Sequence, residues 1–232
     1  MNSPAEGREM SRKAFDQQLY LLQTDILKLG DQVERALGES VELLKSRDIE
    51  GSRRLVEEDR LIDERRYAIE SEALTLIATQ QPMAGDMRTL AAALFIVNEL
   101  ERIGDYAKGL GRVNIRIGDE PLMKPLIDIP QMADRTRSML HRSLEAFIHR
   151  NADVARAIIA EDDPVDALYD QVYAELMTLI MLDTSKLRQA NLLLMAAHNL
   201  ERAADRVTNI CERVIYCVTG RLVDTGWEED VD

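Results

Sequence analysis

The chain has little of what marks a secreted or membrane-bound protein. Its 232 residues include two cysteines, Cys211 and Cys217, whose spacing fits neither a CxxC pair nor a zinc finger. We therefore expect buried or incidental thiols in a reducing compartment. No apolar run reaches the about 18 residues that suggest a membrane span, and the first ten residues lack a signal-peptide pattern. We expect a cytoplasmic protein with no direct membrane insertion.

Positive charge is also in deficit. The 29 Lys and Arg residues stand against 42 Asp and Glu residues, which gives a formal net charge of −13. Because nucleic acids and anionic membrane surfaces are themselves negative, we expect no nucleic-acid partner. Divalent cations and basic protein surfaces are the natural counterparts of such a chain.

Glycine and proline are scarce, at 11 and 6 residues, so helical hydrophobic periodicity runs with few interruptions. It predicts an all-α fold of two tandem, repeated three-helix bundles with antiparallel helices. The predicted helices cover residues 11–46, 48–79, 82–116, 131–150, 153–182 and 185–219. The predicted segments are a disordered tail at 1–10, a first bundle at 11–117, a proline-rich connection at 118–130, a second bundle at 131–220 and an acidic tail at 221–232. Pro164 predicts a kink or local break in the fifth helix.

Acidic pairs with a spacing of four residues recur in both halves of the chain. The first quartet is Asp59, Asp63, Glu101 and Asp105, and the second quartet is Asp162, Asp166, Glu201 and Asp205. The later pairs follow the earlier ones by 103 and 100 residues (162 − 59 and 201 − 101). Residues four apart share one helix face, and these acids continue stripes of apolar residues that should face a core. Carboxylates in such positions need a cation, because a buried unpaired charge is costly.

Two sources of that cation remain open from spacing alone. One is a network of interhelical salt bridges from arginines near the acids, namely Arg53, Arg54, Arg60, Arg65, Arg66, Arg102, Arg202 and Arg206. The other is a hard metal ion, which takes six or more oxygen ligands. Recurrence of both pairs in both halves favours the metal.

Sequence motifs around the acids resemble a known family. Residues 80–88, Gln-Gln-Pro-Met-Ala-Gly-Asp-Met-Arg, resemble the start of the third helix of PhoU family proteins. Residues 100–107, Leu-Glu-Arg-Ile-Gly-Asp-Tyr-Ala, and residues 199–212, which begin Asn-Leu-Glu-Arg and end Asn-Ile-Cys-Glu, resemble the acidic motif of that family. The likeness extends over nearly the whole chain.

The resemblance implies that each quartet binds divalent or trivalent metal ions in a multinuclear cluster, with iron, manganese, magnesium and zinc as candidates. Three departures from the family pattern predict that the second site differs in nuclearity or affinity. Gly109 stands where the second half has Asn209, the second half lacks the Gln-x-Pro motif, and Pro164 interrupts its first acidic pair.

The resemblance also implies a regulatory role and no enzymatic activity. It predicts an adaptor between the ATPase subunit of a phosphate ABC transporter and a phosphate-sensing histidine kinase, one that negatively regulates phosphate uptake and starvation signalling. A homodimer is implied as well.

Two alternatives stand beside this role. A carboxylate-bridged metalloenzyme in a helical bundle would normally use Glu-x-x-His motifs. Here only His198 lies near an acidic pair, in reversed order, and we interpret it as a structural residue. The other alternative is a structural helical scaffold in which arginines satisfy all the acidic pairs.

Overall fold

The structure, a computed structural model, describes the backbone of residues 4–221 and the side chains of residues 12–221. Regular secondary structure in that part of the chain is entirely helical, which confirms the predicted all-α fold. The α-helices are α1 (Pro4–Ser46), α2 (Ile49–Glu58), α3 (Arg60–Gln80), α4 (Ala84–Ile117), α5 (Asp128–Ile148), α6 (Ala152–Ile159), α7 (Asp163–Leu182) and α8 (Leu187–Thr219). A short 3₁₀ helix, Thr184–Lys186, precedes α8.

The helices form two tandem bundles, as predicted. In the first, α1, α3 and α4 pack against one another and α2 packs on α4. In the second, α5, α7 and α8 do the same and α6 packs on α5 and α8. The helices pack in this way because apolar residues recur at spacings of three and four residues. On α1, for example, one fully buried stripe is formed by Leu22, Ile26, Leu29 and Val33.

The middle helix of each predicted bundle is divided in two. The prediction of a single helix over residues 48–79 was wrong, because the chain turns at Asp59 between α2 and α3. Asp59 keeps helical angles, φ −53° and ψ −33°, so sequence periodicity continues across the turn and conceals it. In the second bundle the chain breaks at Ala160–Asp162, beside Pro164 as predicted. Proline is tolerated there because it lies in the first turn of α7, where its missing N–H has no helical partner.

Two helix boundaries differ from the prediction for related reasons. Helix α1 begins at Pro4, inside the segment predicted as a tail, since proline suits a first turn and the following residues favour helix. Helix α5 begins at Asp128 and takes Pro130 into its first turn, so the connection between bundles is shorter than predicted. Of the predicted acidic tail, residues 222–232 lie outside the described part of the chain.

The two bundles are joined mainly through α4 and α8, which run antiparallel. Arg213 stacks on Phe95 at 4.1 Å and Arg202 lies 5.4 Å from the centre of the Tyr106 ring. From the first pair to the second, the residue number rises along α4 by as much as it falls along α8. The two contacts therefore follow an antiparallel packing of α4 on α8.

This crossing explains one departure from the repeat. A Cβ atom on Gly109 would lie 2.5 Å from the side-chain nitrogen of Asn199, so any other residue at position 109 would have to displace that side chain. The equivalent Asn209 has room and donates a hydrogen bond to Glu99 at 3.3 Å. In the part of the chain that the structure describes, none of the helices has the length and hydrophobicity that a membrane span requires.

Candidate metal centres

Each quartet begins at a helix start. Asp59 precedes α3 and Asp162 precedes α7, and neither side chain caps its helix. Their backbone oxygens instead accept hydrogen bonds from the amides of Asp63 (3.3 Å) and Asp166 (3.1 Å). This fixes each acidic pair at i,i+4 on one helix face, so both carboxylates are available to groups outside the helix.

The predicted grouping of four acids is visible in their electrostatics. Burial raises the pKa of Glu101, and the charges of Asp105 and Asp63 raise it further. Since Asp63 lies on α3 and Glu101 on α4, the two helices bring their acids together. In the second half, burial raises the pKa of Asp162 from 3.8 to about 7.

The causes at Asp162 identify its neighbours. Burial is the largest cause of the raised pKa. The next causes are the charges of four acids, in the order Asp166, Asp205, Glu201 and Asp163. Every other member of the second quartet therefore acts on Asp162. Since α8 carries Glu201 and Asp205, this quartet is also assembled from two packed helices.

A lysine provides the first quartet with an ammonium group that sequence analysis missed. The Nζ atom of Lys108 lies 2.5 Å from Oδ2 of Asp59 and 3.4 Å from Oδ1 of Asp105. Asp59 is 7% exposed, and burial outweighs Lys108 so that its pKa is still raised. The same hydrogen bond raises the pKa of Lys108. The i,i+3 spacing of Asp105 and Lys108 was the available signal.

In the second quartet, oxygen atoms lack hydrogen-bond partners. Oδ1 of Asp162 and Oε2 of Glu201 are buried and accept no hydrogen bond from the residues that the structure describes. His198 Nδ1 lies 3.2 Å from Glu201 Oε2, but the geometry is not that of a hydrogen bond. Buried oxygen acceptors without donors, in an all-carboxylate set, fit a hard cation such as manganese, iron or magnesium.

Neither quartet forms a closed ligand shell. Within residues 12–221, the three side chains whose possible ligand atoms lie within 4.8 Å of one another are Asp31, Glu34 and His141, between α1 and α5. Sequence analysis did not identify this group, since His141 is distant in sequence. Arg137 Nη2 lies 3.5 Å from Glu34 and partly neutralises the group. Metal binding by either quartet would require side-chain rotation toward a shared ion.

The arginines proposed as the alternative cations mostly pair elsewhere. Among the described ion pairs, Arg53 binds Glu50, Arg60 binds Glu64, Arg66 binds Glu70 and Arg206 approaches Glu99. These acids lie outside both quartets. The charges of Arg66 and Arg102 act on Glu101, and that of Arg202 acts on Glu201, but the ion pairs of Arg53, Arg60, Arg66 and Arg206 are made with acids outside the quartets.

The two cysteines are buried, as predicted. Burial raises the pKa of Cys211 to about 12, and a protonated thiol is a poor nucleophile and metal ligand. Neither thiol belongs to a quartet, and the donor atoms of both quartets are carboxylate oxygens.

Comparison with known proteins agrees with this architecture. The PhoU domain family matches residues 26–113 and 129–214, one segment in each bundle. The PhoU homologue of Clostridium acetobutylicum, a phosphate-specific transport system accessory protein, is 35% identical over 216 residues, 93% of this chain and 99% of its own. The corresponding Escherichia coli protein is 30% identical over 207 residues, 89% and 86% of the two chains.

Two crystal structures share the fold. PhoU from Pseudomonas aeruginosa superposes with a TM-score of 0.84 at 28% identity, covering 89% of this chain and 100% of its own. The phosphate transport system regulatory protein PhoU from Streptococcus pneumoniae gives 0.81 at 30% identity, covering 90% and 99%.

Two matched domains in tandem, one in each bundle, define the class as a double PhoU-domain protein. The chain belongs to the PhoU family, as its motifs suggested. This family consists of accessory and regulatory proteins, so the chain is not an enzyme and the metalloenzyme alternative is not retained.

Proposed function

We propose that this protein is a cytoplasmic, metal-binding regulator of phosphate homeostasis that negatively regulates both phosphate uptake and phosphate-starvation signalling. Its relatives are named as phosphate-specific transport system accessory proteins, which supports a role in regulating phosphate transport. The observation that carries the metal-binding part is the second quartet, in which a buried oxygen of Asp162 and one of Glu201 accept no hydrogen bond from the described residues.

In this proposal, Asp162 and Asp166 hold a cation from the α7 side while Glu201 and Asp205 hold it from the α8 side. The metal would supply positive charge that neutralises mutually repelling carboxylates. The all-oxygen donor set favours iron, manganese or magnesium over zinc. Four carboxylates also provide enough donors for more than one ion. Because the two helices belong to one bundle, occupancy would fix their spacing.

Exposed apolar residues at two helix turns support the role of an adaptor. Met83 is 73% exposed beside the turn before α4, whereas Met181, Leu182 and Leu187 are 86%, 80% and 57% exposed at the turn before α8. Since α4 and α8 are antiparallel, these turns lie at opposite ends of their interface. The exposed apolar residues Met181, Leu182 and Leu187 suit a contact with one partner, and we assign the transporter ATPase subunit and the sensor histidine kinase as the two partners of the adaptor.

A further apolar strip supports a homodimer. Tyr67 and Leu74 are 61% and 56% exposed, and they lie seven residues apart on α3, which places them on one helix face. A second copy of the chain could cover this strip through a twofold, self-complementary contact.

A phosphate-starvation reporter tests the regulatory proposal. In a strain of the source organism that lacks this protein and grows with excess phosphate, the reporter should be derepressed, and the intact protein should restore repression. The double variant Asp162→Asn, Asp166→Asn should fail to restore it, whereas Asp134→Asn, a control at a 77% exposed acid, should succeed. A reporter that stays silent without the protein would contradict negative regulation. Full repression by the double variant would contradict its dependence on the second quartet.

A further inference from the structure

The two quartets are equivalent in their acids but not in the groups around them. The repeat relates Lys108 to Thr208, at the 100-residue offset of α4 and α8. It relates Arg66 to Tyr169, at the 103-residue offset of α3 and α7. Two cationic positions of the first half are therefore uncharged in the second.

Lys108 is positioned like a resident cation. Its side chain is 21% exposed, and its ammonium contacts Asp59 and Asp105, one acid from each helix of the first quartet. Asp59 is the most buried acid of that quartet. An ammonium between two carboxylates occupies the space and neutralises the charge that a metal ion would use.

Arg66 supplies a second positive charge to the same region. Its guanidinium pairs with Glu70 at 2.9 Å and is 13% exposed, while it also donates to Asn98 at 3.3 Å. Its charge acts on Glu101, where it favours the ionised form. The first quartet therefore lies near two protein cations that packing holds in place.

The second half has neutral side chains at both positions. The Thr208 hydroxyl donates to the backbone oxygen of Asp205 at 2.8 Å and so turns away from the carboxylates. Tyr169 stacks near His198, with ring centres 5.9 Å apart. Arg206 is adjacent to Asp205 in sequence, and the charge of Asp205 acts on its guanidinium, but the ion pair of Arg206 is made with Glu99 at 3.6 Å across the α4–α8 interface.

We propose that Lys108 acts as a built-in cation that keeps metal affinity low at the first quartet, so that the second quartet is the principal metal site. This inference rests on the proposed metal-binding function and assigns it unequally to the two repeats. The residue at position 108 or 208 then sets how tightly the quartet binds metal.

Exchanging the two residues tests the proposal directly. Binding of Mn²⁺ to the full chain is measured by equilibrium dialysis, with the metal content of each variant determined by mass spectrometry. Lys108→Thr should raise the Mn²⁺ affinity of the first quartet at least about tenfold, because it removes a positive charge that lies against Asp59 and Asp105. Thr208→Lys should lower the affinity of the second quartet at least about tenfold. The first-quartet measurement is made in an Asp162→Asn, Asp166→Asn background, so that one quartet is observed at a time.

Two conservative variants separate charge from shape. Lys108→Arg keeps the positive charge. In the Asp162→Asn, Asp166→Asn background it should bind Mn²⁺ at the first quartet as weakly as the chain that retains Lys108. Thr208→Val removes the hydroxyl without adding charge and should leave the second quartet unchanged. Circular dichroism confirms folding of each variant. Since Thr208 is partly exposed on α8, Thr208→Lys tests the proposal even if Lys108→Thr fails to fold.

The outcomes distinguish this inference from the function on which it rests. Equal affinities for the wild type and both exchange variants would overturn the role of Lys108 and leave metal binding intact. Absence of Mn²⁺ binding in every variant would overturn both. Weak binding at the first quartet that Lys108→Thr strengthens and Lys108→Arg does not would support the proposal.

Discussion

Replacing Asp162 by asparagine should stabilise the metal-free protein at neutral and alkaline pH. In the folded chain this carboxylate is partly buried among other acids, and its pKa is raised to about 7. Between about pH 4 and pH 7 the folded state therefore binds a proton that the unfolded state has released. By linkage, the free energy of unfolding falls as pH rises through this range. Asparagine has no such charge, so Asp162→Asn removes the penalty.

The size of the effect follows from the pKa. A rise from 3.8 to about 7 corresponds to about 4 kcal/mol when the full penalty is present. Asp162 is only partly buried, and solvent screening reduces the expected gain to about 1–2 kcal/mol. For a chain of this length that is a rise in melting temperature of about 2–8 °C. The gain should be largest near pH 8 and vanish near pH 4.

Thermal and urea unfolding of chelator-treated protein at pH 4, 6 and 8 measures this difference. The control Asp134→Asn removes an acid that is 77% exposed and should change stability by no more than about 0.5 kcal/mol. Destabilisation by Asp162→Asn at pH 8, or a gain independent of pH, would refute the account of a repelling carboxylate cluster.

Three further variants test the packing, each by urea denaturation. Gly109→Asn places a side chain against Asn199 at the α4–α8 crossing and should cost about 1–3 kcal/mol; an unchanged midpoint would mean that the crossing is looser than described. Asn114→Val, which installs the residue of the second repeat, removes donors to the backbone oxygens of Leu43 and Asp48 and should cost about 1–3 kcal/mol. If Asn114→Val loses no more stability than a substitution at an exposed position, the hydrogen bonds of Asn114 do not stabilise the fold. Phe147→Ala empties a fully buried core position and should cost about 3–5 kcal/mol, and a loss below 1 kcal/mol would mean that the second core repacks around it.

The fold could be predicted because helical periodicity and sparse breakers leave few alternatives. Where the sequence marks a break, as Pro164 does, the break was found beside it. No residue marks the turn at Asp59, and the prediction missed it. Asp59 keeps helical backbone angles, and the periodic spacing of apolar residues continues across the turn from Leu55 to Ile62. A helix break can therefore be predicted from the sequence where a residue such as proline lacks a backbone N–H. A break that arises only from how the helices pack cannot.

The acids of the candidate site could be predicted from spacing, because i,i+4 pairs share a helix face by geometry alone. Their protein partners could not. Lys108 lies three residues after Asp105, but its contact with Asp59 depends on how α4 packs near the turn between α2 and α3. The group formed by Asp31, Glu34 and His141 likewise depends on the contact between α1 and α5.

Anomalous diffraction from crystals grown with Mn²⁺ tests the central claim most directly. The account predicts an anomalous peak among Asp162, Asp166, Glu201 and Asp205, with a weaker peak or none beside Lys108. No peak at the second quartet, or a dominant peak at Asp31, Glu34 and His141, would contradict the assignment of the second quartet as the principal metal site.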